Sequence, residues 1–496
     1  MNSQSKNLGE KKLYAKEFHI IRDNDTTLAY DIENSRLLEL NDLELSILKN
    51  IKAKPTSITE LRQRLSHKRG EAAEEAANEL INVDMLGYSS YPQMSAKKIN
   101  DLETEILENF QKKNFMQIAL NVTHKCNFNC DYCYGEDGSY GGPAIHMNRD
   151  TAKQAVHFLL NESGDSDLIR ITLFGGEPLL NFDLIKFVVQ YSQKEASKLN
   201  KKVLLGMTTN AALLDDEKTD FLIKENIELT FSFDGPKEIQ DNNRRLKSKR
   251  EKSSYDIVYP KILKYIEKAE KYNGFYAFRS TVTRSGLINI NEMVDFFKSF
   301  KTDNTIYDFA EYKNYISQGG LAINDDDLDL FRQKLKEMAI EYKEKNLEPE
   351  YDFFSGALKE IKAKKRTINY CISPGVQYVG VSAEGDIFPC HRFVGYKETK
   401  LGNVWDGFDR EAWLKKFAAV NIYNSKVCSK CWLRYYCGGI CPATSYFLCN
   451  DMVLSEKIDQ EPVHCKIKKI VYEEAMIVGA SIFNDSSEAD VMKRNK

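Results

Sequence analysis

The sequence predicts an α/β protein. Its centre is an open array of six parallel β/α units, a partial (β/α)6 barrel, preceded by a small winged-helix-like unit and followed by a cysteine-rich region. Three observations lead there. Between residues 115 and 345, six apolar runs alternate with six stretches of helical spacing, the pattern of a parallel sheet with crossover helices. The eleven cysteines fall as three at 126–133, none for the next 237 residues, and eight between 371 and 465. Short apolar runs near the start are separated by Asp23-Asn24-Asp25 and followed by three short helical patterns.

In order, strands are expected at 115–122, 169–174, 203–208, 228–233, 275–282 and 305–312. The helices between and after them are expected near 151–161, 184–199, 217–225, 257–271, 290–300 and 328–345. Six units fall short of the eight that close a full barrel, and chemistry in such arrays sits at the strands' C-terminal ends. The open side would suit a polypeptide substrate. The boundaries read as 1–95 for the first unit, 96–112 for a linker helix, 113–348 for the barrel and 349–496 for the cysteine-rich domain.

In the first unit, strands are expected at 18–21, 28–32 and 37–40, with Asn41 or Asp42 capping a helix through Ile51. Ser57 and Glu60 have the spacing of a capping box for a helix at 61–65, and a third helix covers 71–83. This topology fits a packing or dimerisation module, a DNA-binding wing, or a peptide-recognition domain. Acids balance bases on the helices, which speaks against DNA.

Composition narrows the function. Of 496 residues, 29% are charged and 42% hydrophobic, and the formal net charge is −3, so no general affinity for nucleic acid is expected. No run of about 18 apolar residues indicates a membrane span. The opening residues lack the apolar stretch of a signal peptide, and a cytoplasmic location is expected. In a reducing compartment, clustered cysteines read as metal ligands.

Cys126, Cys130 and Cys133 follow the first barrel strand at spacings of four and three residues. Three soft donors on one loop suit an iron–sulfur cluster or zinc, and leave one position for a ligand that is not protein. This CxxxCxxC loop, with Tyr132 before its last cysteine, resembles the radical S-adenosylmethionine (SAM) superfamily. The resemblance implies a [4Fe–4S] cluster whose unique iron binds the SAM amino and carboxyl groups. Gly175-Gly176-Glu177-Pro178 after the second strand matches that family's GGEP motif, implied to hold the SAM amino group. Thr208-Thr209-Asn210 resembles its TNG, with Ala211 in place of the glycine. Ser232-Phe233-Asp234-Gly235-Pro236 matches S-x-D-G-P, where the serine contacts the SAM ribose. Arg244, twelve residues beyond Ser232, matches the family arginine near the SAM carboxylate, and Arg279 on the fifth strand fits a cleft cation. The bland alternatives are a solvated basic run for Arg244 and an ordinary strand charge for Arg279.

The later cysteines suit a two-zinc ribbon by count alone. Their spacing also resembles the SPASM auxiliary-cluster domain at seven positions. The resemblance implies one cluster on Cys371, Cys390 and Cys441 and a second on Cys428, Cys431, Cys437 and Cys465. Cys449 either completes the first cluster or is idle. Phe388-Pro389-Cys390-His391-Arg392-Phe393-Val394-Gly395 resembles the stretch YPCHQFVG of peptide thioether maturases. Sulfatase-maturing relatives carry an acid where His391 stands.

The implied function is reductive cleavage of SAM to a 5′-deoxyadenosyl radical that forms Cys sulfur-to-carbon crosslinks in a ribosomal precursor peptide. Three [4Fe–4S] clusters are implied, one binding SAM and two auxiliary. The first unit would capture the peptide leader as an added strand, and a flavodoxin or ferredoxin would supply electrons. Within the superfamily, the alternatives are formylglycine formation and carbon–carbon crosslinking or epimerisation of a peptide. A non-catalytic metal scaffold is the alternative of another class.

Overall fold

The computed structural model describes residues 11–23, 26–64, 67–90, 94–248, 252–300, 302, 304–310, 323–345, 353–455, 461–482 and 491–492. The six predicted barrel strands form at Gln117–Thr123, Leu168–Gly175, Lys202–Thr209, Ile227–Ser232, Tyr276–Val282 and Thr305–Phe309. They lie side by side in chain order, every pair parallel. Their helices are Arg149–Glu162, Phe182–Ser197, Asp216–Lys224, Ser254–Tyr272, Ile290–Lys298 and Asp325–Lys345. Residues 311–312 of the sixth predicted strand and the expected boundary at 348/349 lie outside the described residues.

Burial explains the register. In Ile227–Ser232, Ile227, Leu229 and Phe231 are buried while Glu228, Thr230 and Ser232 are half-buried, the two-residue alternation of a sheet with unlike faces. The fully buried Phe231, Phe278 and Phe297 pack where this sheet meets its helices.

The cysteine-rich region does not stand apart from the barrel. Tyr378–Val381 pairs parallel with Gln117–Thr123, and Asp386–Phe388 and Gly402–Asn403 continue the same sheet antiparallel. The barrel sheet therefore runs to nine strands without closing. The join carries chemistry, because the strand before the three-cysteine loop is bonded to the strand leading to Cys390.

The first unit has the expected hairpin, Phe18–Asp23 and Thr26–Asp31, with Arg36–Leu40 beside it. Asn41 caps the helix Asp42–Ala53 in a full capping box with Glu44. Ser57 and Glu60 exchange the bonds of a second box ahead of Ile58–Arg64. A third helix, His67–Asn82, starts earlier than its apolar spacing suggests. The sequence reading missed a three-stranded sheet of Lys12–Ala15 between Thr56–Ser57 and Leu86–Gly87, whose outer two strands are only two residues long. The linker is a helix, Ala96–Gln111, capped by Ser95 and packed on Arg410–Ala418.

This unit is seated on the cysteine-rich region. His19 stacks flat on Trp432 with ring centroids 4.0 Å apart. Arg434, buried between Cys431 and Cys437, pairs with Glu17 and with Glu33 at 2.6 Å. Two extended residues near the C-terminus, Val491–Met492, pair parallel with Leu37 and Leu38 on the outer edge of Arg36–Leu40. Among the described residues, no helix is long and apolar enough to cross a membrane.

Candidate active site

At the C-terminal ends of the barrel strands lies a cavity of about 360 Å³. Its wall brings together Cys126, Cys130, Cys133, Gly175, Gly176, Glu177, Asn210, Ser232, Arg244 and Arg279. It also reaches into the cysteine-rich region, where His391, Arg392 and Cys441 complete it. Pro178 and Asp234 are not on this wall.

The three-cysteine loop is braced from two sides. Phe128–Cys130 forms a two-stranded ladder with Arg244–Leu246, Arg244 opposite Cys130. The basic run, whose bland alternative was solvated surface, is a strand that buries Arg244 and Leu246 and exposes Arg245. On the other side, the amides of Gly176 and Glu177 donate to the carbonyls of Thr123 and Lys125 at 3.0 and 2.8 Å. A Cβ on Gly175 would sit 2.2 Å from the Thr123 carbonyl oxygen, and one on Gly176 equally close to that of Lys125. The glycines are needed for this close approach of one loop to the other.

Glu177 is buried and its carboxylate accepts three bonds: the Leu179 amide at 3.0 Å, the Thr209 hydroxyl at 2.7 Å and the Asn210 amide at 2.8 Å. It ties the second strand's end to the third's. Burial raises its pKa and these donors oppose the rise. A carboxylate has about four lone-pair sites, so one remains, on Oε2, and Glu177 lines the cavity. Asn210 accepts from the Ala212 amide and donates to Asn127 at 2.8 Å, which braces the cysteine loop. Ala211, in place of the family glycine, keeps the left-handed backbone a glycine favours, φ +63°.

Asp234 is a buried hub. It accepts from Tyr132 at 2.7 Å, the Thr281 amide at 3.0 Å and Asn243 at 3.2 Å, with Arg244 at 3.6 Å. It therefore fixes Arg244 and Tyr132 from behind the cavity wall. Arg279 pairs with Asp308 of the sixth strand at 2.5 Å. Nothing in the sequence marks Asp308, which reaches the cavity only because the fifth and sixth strands are adjacent. Tyr134, Phe174, Phe309 and Phe447 supply apolar wall. His391 receives or donates a 2.6 Å bond at Nδ1 with Tyr378, while its buried Nε2 has no hydrogen-bond partner among the described residues. Burial, helped by Arg279 and Arg392, lowers its pKa to about 3, so the imidazole is neutral.

The thiols influence one another in small sets. Burial pushes Cys126 and Cys130 up to about 12 and Cys133 to about 11, each raised further by another of the three. Cys126 Sγ accepts from the Phe128 amide at 3.4 Å, a contact suited to a metal-bound thiolate. Cys390 is pushed to about 12 by burial and by Cys441 and Cys371. Cys465 is raised by burial and then by Cys437, Cys428 and Cys431, and these four line a second, smaller pocket. The Cys449 thiol donates locally, to the Ser445 carbonyl at 3.2 Å. Among the described residues, no three His, Cys, Asp or Glu side chains converge as one metal ion requires. The donors of these sets are all sulfur, half-buried apart from the buried Cys390 and Cys428, a chemistry that suits iron–sulfur clusters.

This barrel and loop define a class. Residues 120–296 match the family described as the radical SAM superfamily, and the chain carries that domain. It is similar to the radical SAM cyclopropyl synthase TigE of Paramaledivibacter caminithermalis, 25% identical over 453 residues, covering 84% of this chain and 86% of that one. It is also similar to a cysteine-type anaerobic sulfatase-maturating enzyme of Clostridium perfringens, 24% identical, covering 63% and 85% respectively. Among solved structures, native anSMEcpe with bound AdoMet shares the fold with a TM-score of 0.59 at 21% identity, covering 74% of this chain and 99% of that one.

Proposed function

We propose that this enzyme forms thioether crosslinks, from cysteine sulfur to carbon, in a ribosomally made precursor peptide. Its cofactors in this reading are SAM and three [4Fe–4S] clusters. One observation carries it: the three-cysteine loop and the Cys441, His391 and Arg392 wall face each other across a single cavity. The chemistry the bound cofactors supply is one-electron cleavage of the SAM C–S bond and abstraction of a hydrogen atom from the substrate.

The chain's own residues bind, orient and exclude water. Cys126, Cys130 and Cys133 would hold the SAM-binding cluster. The spare lone pair of Glu177 suits the SAM ammonium, Arg244 its carboxylate, and the Ser232 hydroxyl faces the same space. Arg279 is held by Asp308 and stays a fixed cation of the wall. Tyr134, Phe174, Phe309 and Phe447 keep water from the reacting carbon. Cys371, Cys390 and Cys441 would hold one auxiliary cluster, and Cys428, Cys431, Cys437 and Cys465 the other. With Cys449 bonded locally, three ligands at the first leave a position for a substrate thiolate beside the cavity, a gain from proximity.

The peptide leader would add as a strand to an edge of the first unit's hairpin sheet. The outer edge of Arg36–Leu40 carries Val491–Met492, so a leader using that edge displaces them. Electrons would come from a flavodoxin or ferredoxin. A second reading follows from the sulfatase-maturating and cyclopropyl-forming relatives: a formylglycine or a carbon–carbon bond in a peptide. His391 in place of an acid after Cys390 favours the thioether.

The test is the intact mass of a precursor peptide encoded beside this chain, co-expressed with it anaerobically. Loss of two hydrogens per link together with loss of alkylatable thiol supports the thioether. The same mass loss with every thiol free moves the assignment to the second reading. Absence of SAM cleavage by fully loaded enzyme overturns both.

A further inference from the structure

In the stretch resembling YPCHQFVG, the glutamine position is Arg392, and its guanidinium has a defined place. Nη1 donates to Cys441 Sγ at 3.2 Å and to Thr444 Oγ1 at 3.1 Å. The plane lies over the Phe447 ring at 5.4 Å and near Tyr134, the residue after Cys133, at 5.8 Å. One cation thus touches the sulfur of one proposed auxiliary ligand, follows another, Cys390, in sequence, and lines the wall of the shared cavity.

We propose that Arg392 is a positioning residue that sets the reduction potential of the auxiliary centre held by Cys371, Cys390 and Cys441. The inference rests on the proposed assignment of those three ligands. Reduction adds an electron, and the added negative charge is shared with the cysteine sulfurs. A charged N–H donor at sulfur favours the reduced state, as hydrogen bonds to cluster sulfurs and nearby charge do generally. Glutamine keeps a donor but not the charge. Arginine in that position therefore makes this centre easier to reduce than the family stretch alone implies. Thr444 and the Phe447 face fix the guanidinium, so the bond to Cys441 is maintained at little entropic cost.

The experiment is an EPR-monitored redox titration of anaerobically reconstituted full-length enzyme. Cys126, Cys130 and Cys133 are replaced by alanine to remove the SAM-cluster signal. Arg392→Lys, Arg392→Gln and Arg392→Met are compared with Arg392, and iron and sulfide are counted in each. Arg392→Met is expected to shift the reduction equilibrium of one auxiliary signal about tenfold toward the oxidised form, about 59 mV for a one-electron couple. Arg392→Gln should shift it less, Arg392→Lys least, and the second auxiliary signal should not move. An unmoved potential in Arg392→Met at full iron content overturns the inference while leaving the ligand assignment intact. Equal shifts of both signals also overturn it, since that is a general loss of fold. An Arg392 parent with iron for only one cluster overturns the assignment, and the inference with it.

Discussion

Replacing Glu177 by glutamine tests whether this side chain braces the site and binds SAM. Its carboxylate takes protons from the Leu179 amide and Thr209 hydroxyl on one oxygen and from the Asn210 amide on the other. A carboxamide has one accepting oxygen. If that oxygen serves Leu179 and Thr209, the NH2 group faces the Asn210 N–H donor to donor, inside a site only 1% exposed. Leaving a buried donor unpaired costs about 1–3 kcal/mol, and two donors face each other here. Relief of the buried charge, which raises the pKa of Glu177, works in the opposite direction. The net expectation is a loss of about 2 kcal/mol, with the ends of the second and third strands loosened. The remaining lone pair disappears as well, so SAM affinity should fall at least tenfold. The assay is thermal unfolding of the cluster-loaded enzyme beside an anaerobic SAM titration. Unchanged stability would refute the bracing argument, and unchanged SAM affinity would refute the ligand argument.

Further expectations follow from other positions. Glu474 is 2% exposed, and burial raises its pKa to about 7 from 4.5. The folded chain therefore holds a proton that the unfolded chain has lost, and stability falls as pH rises from 4.5 to 7, by about 3 kcal/mol. Glu474→Gln should raise the unfolding midpoint at pH 8 and leave it nearly unchanged at pH 4.5, and equal shifts at both would disprove the linkage. Cys449→Ala should keep all cluster iron and acid-labile sulfide, whereas Cys441→Ala should lose those of one cluster; iron loss in Cys449→Ala would make it a ligand. Ending the chain at Ile482 removes the strand on Leu37 and Leu38 and should tighten binding of a fluorescent precursor peptide. No change would mean that the leader uses another surface.

Much of the site was legible because its determinants are local. Three thiols within eight residues, a glycine pair before Glu177 and a serine at a strand end keep their spacing whatever the rest of the chain does. The strand alternation likewise located all six barrel strands, because apolar periodicity and β/α succession are written into consecutive residues. Asp308 shows the opposite case. It is one acid in a short strand, and only the pairing with Tyr276–Val282 brings it to Arg279.

The sequence by itself determined the radical SAM class of the domain and the barrel strands, since motif spacing and periodicity act over short range. Tertiary structure decided what the motif residues face. It turned the Arg244 run into a strand beside Cys130 and moved Asp234 behind the wall as a hub. It also joined Tyr378–Val381 to the first barrel strand, which brings Cys441 and Arg392 to the cavity of the three-cysteine loop. The Arg244–Cys130 ladder, the Tyr132–Asp234 bond and the Tyr378–Gln117 pairing each join residues more than a hundred apart. Which of many possible partners a buried donor or charge finds is settled only when the whole sheet has formed.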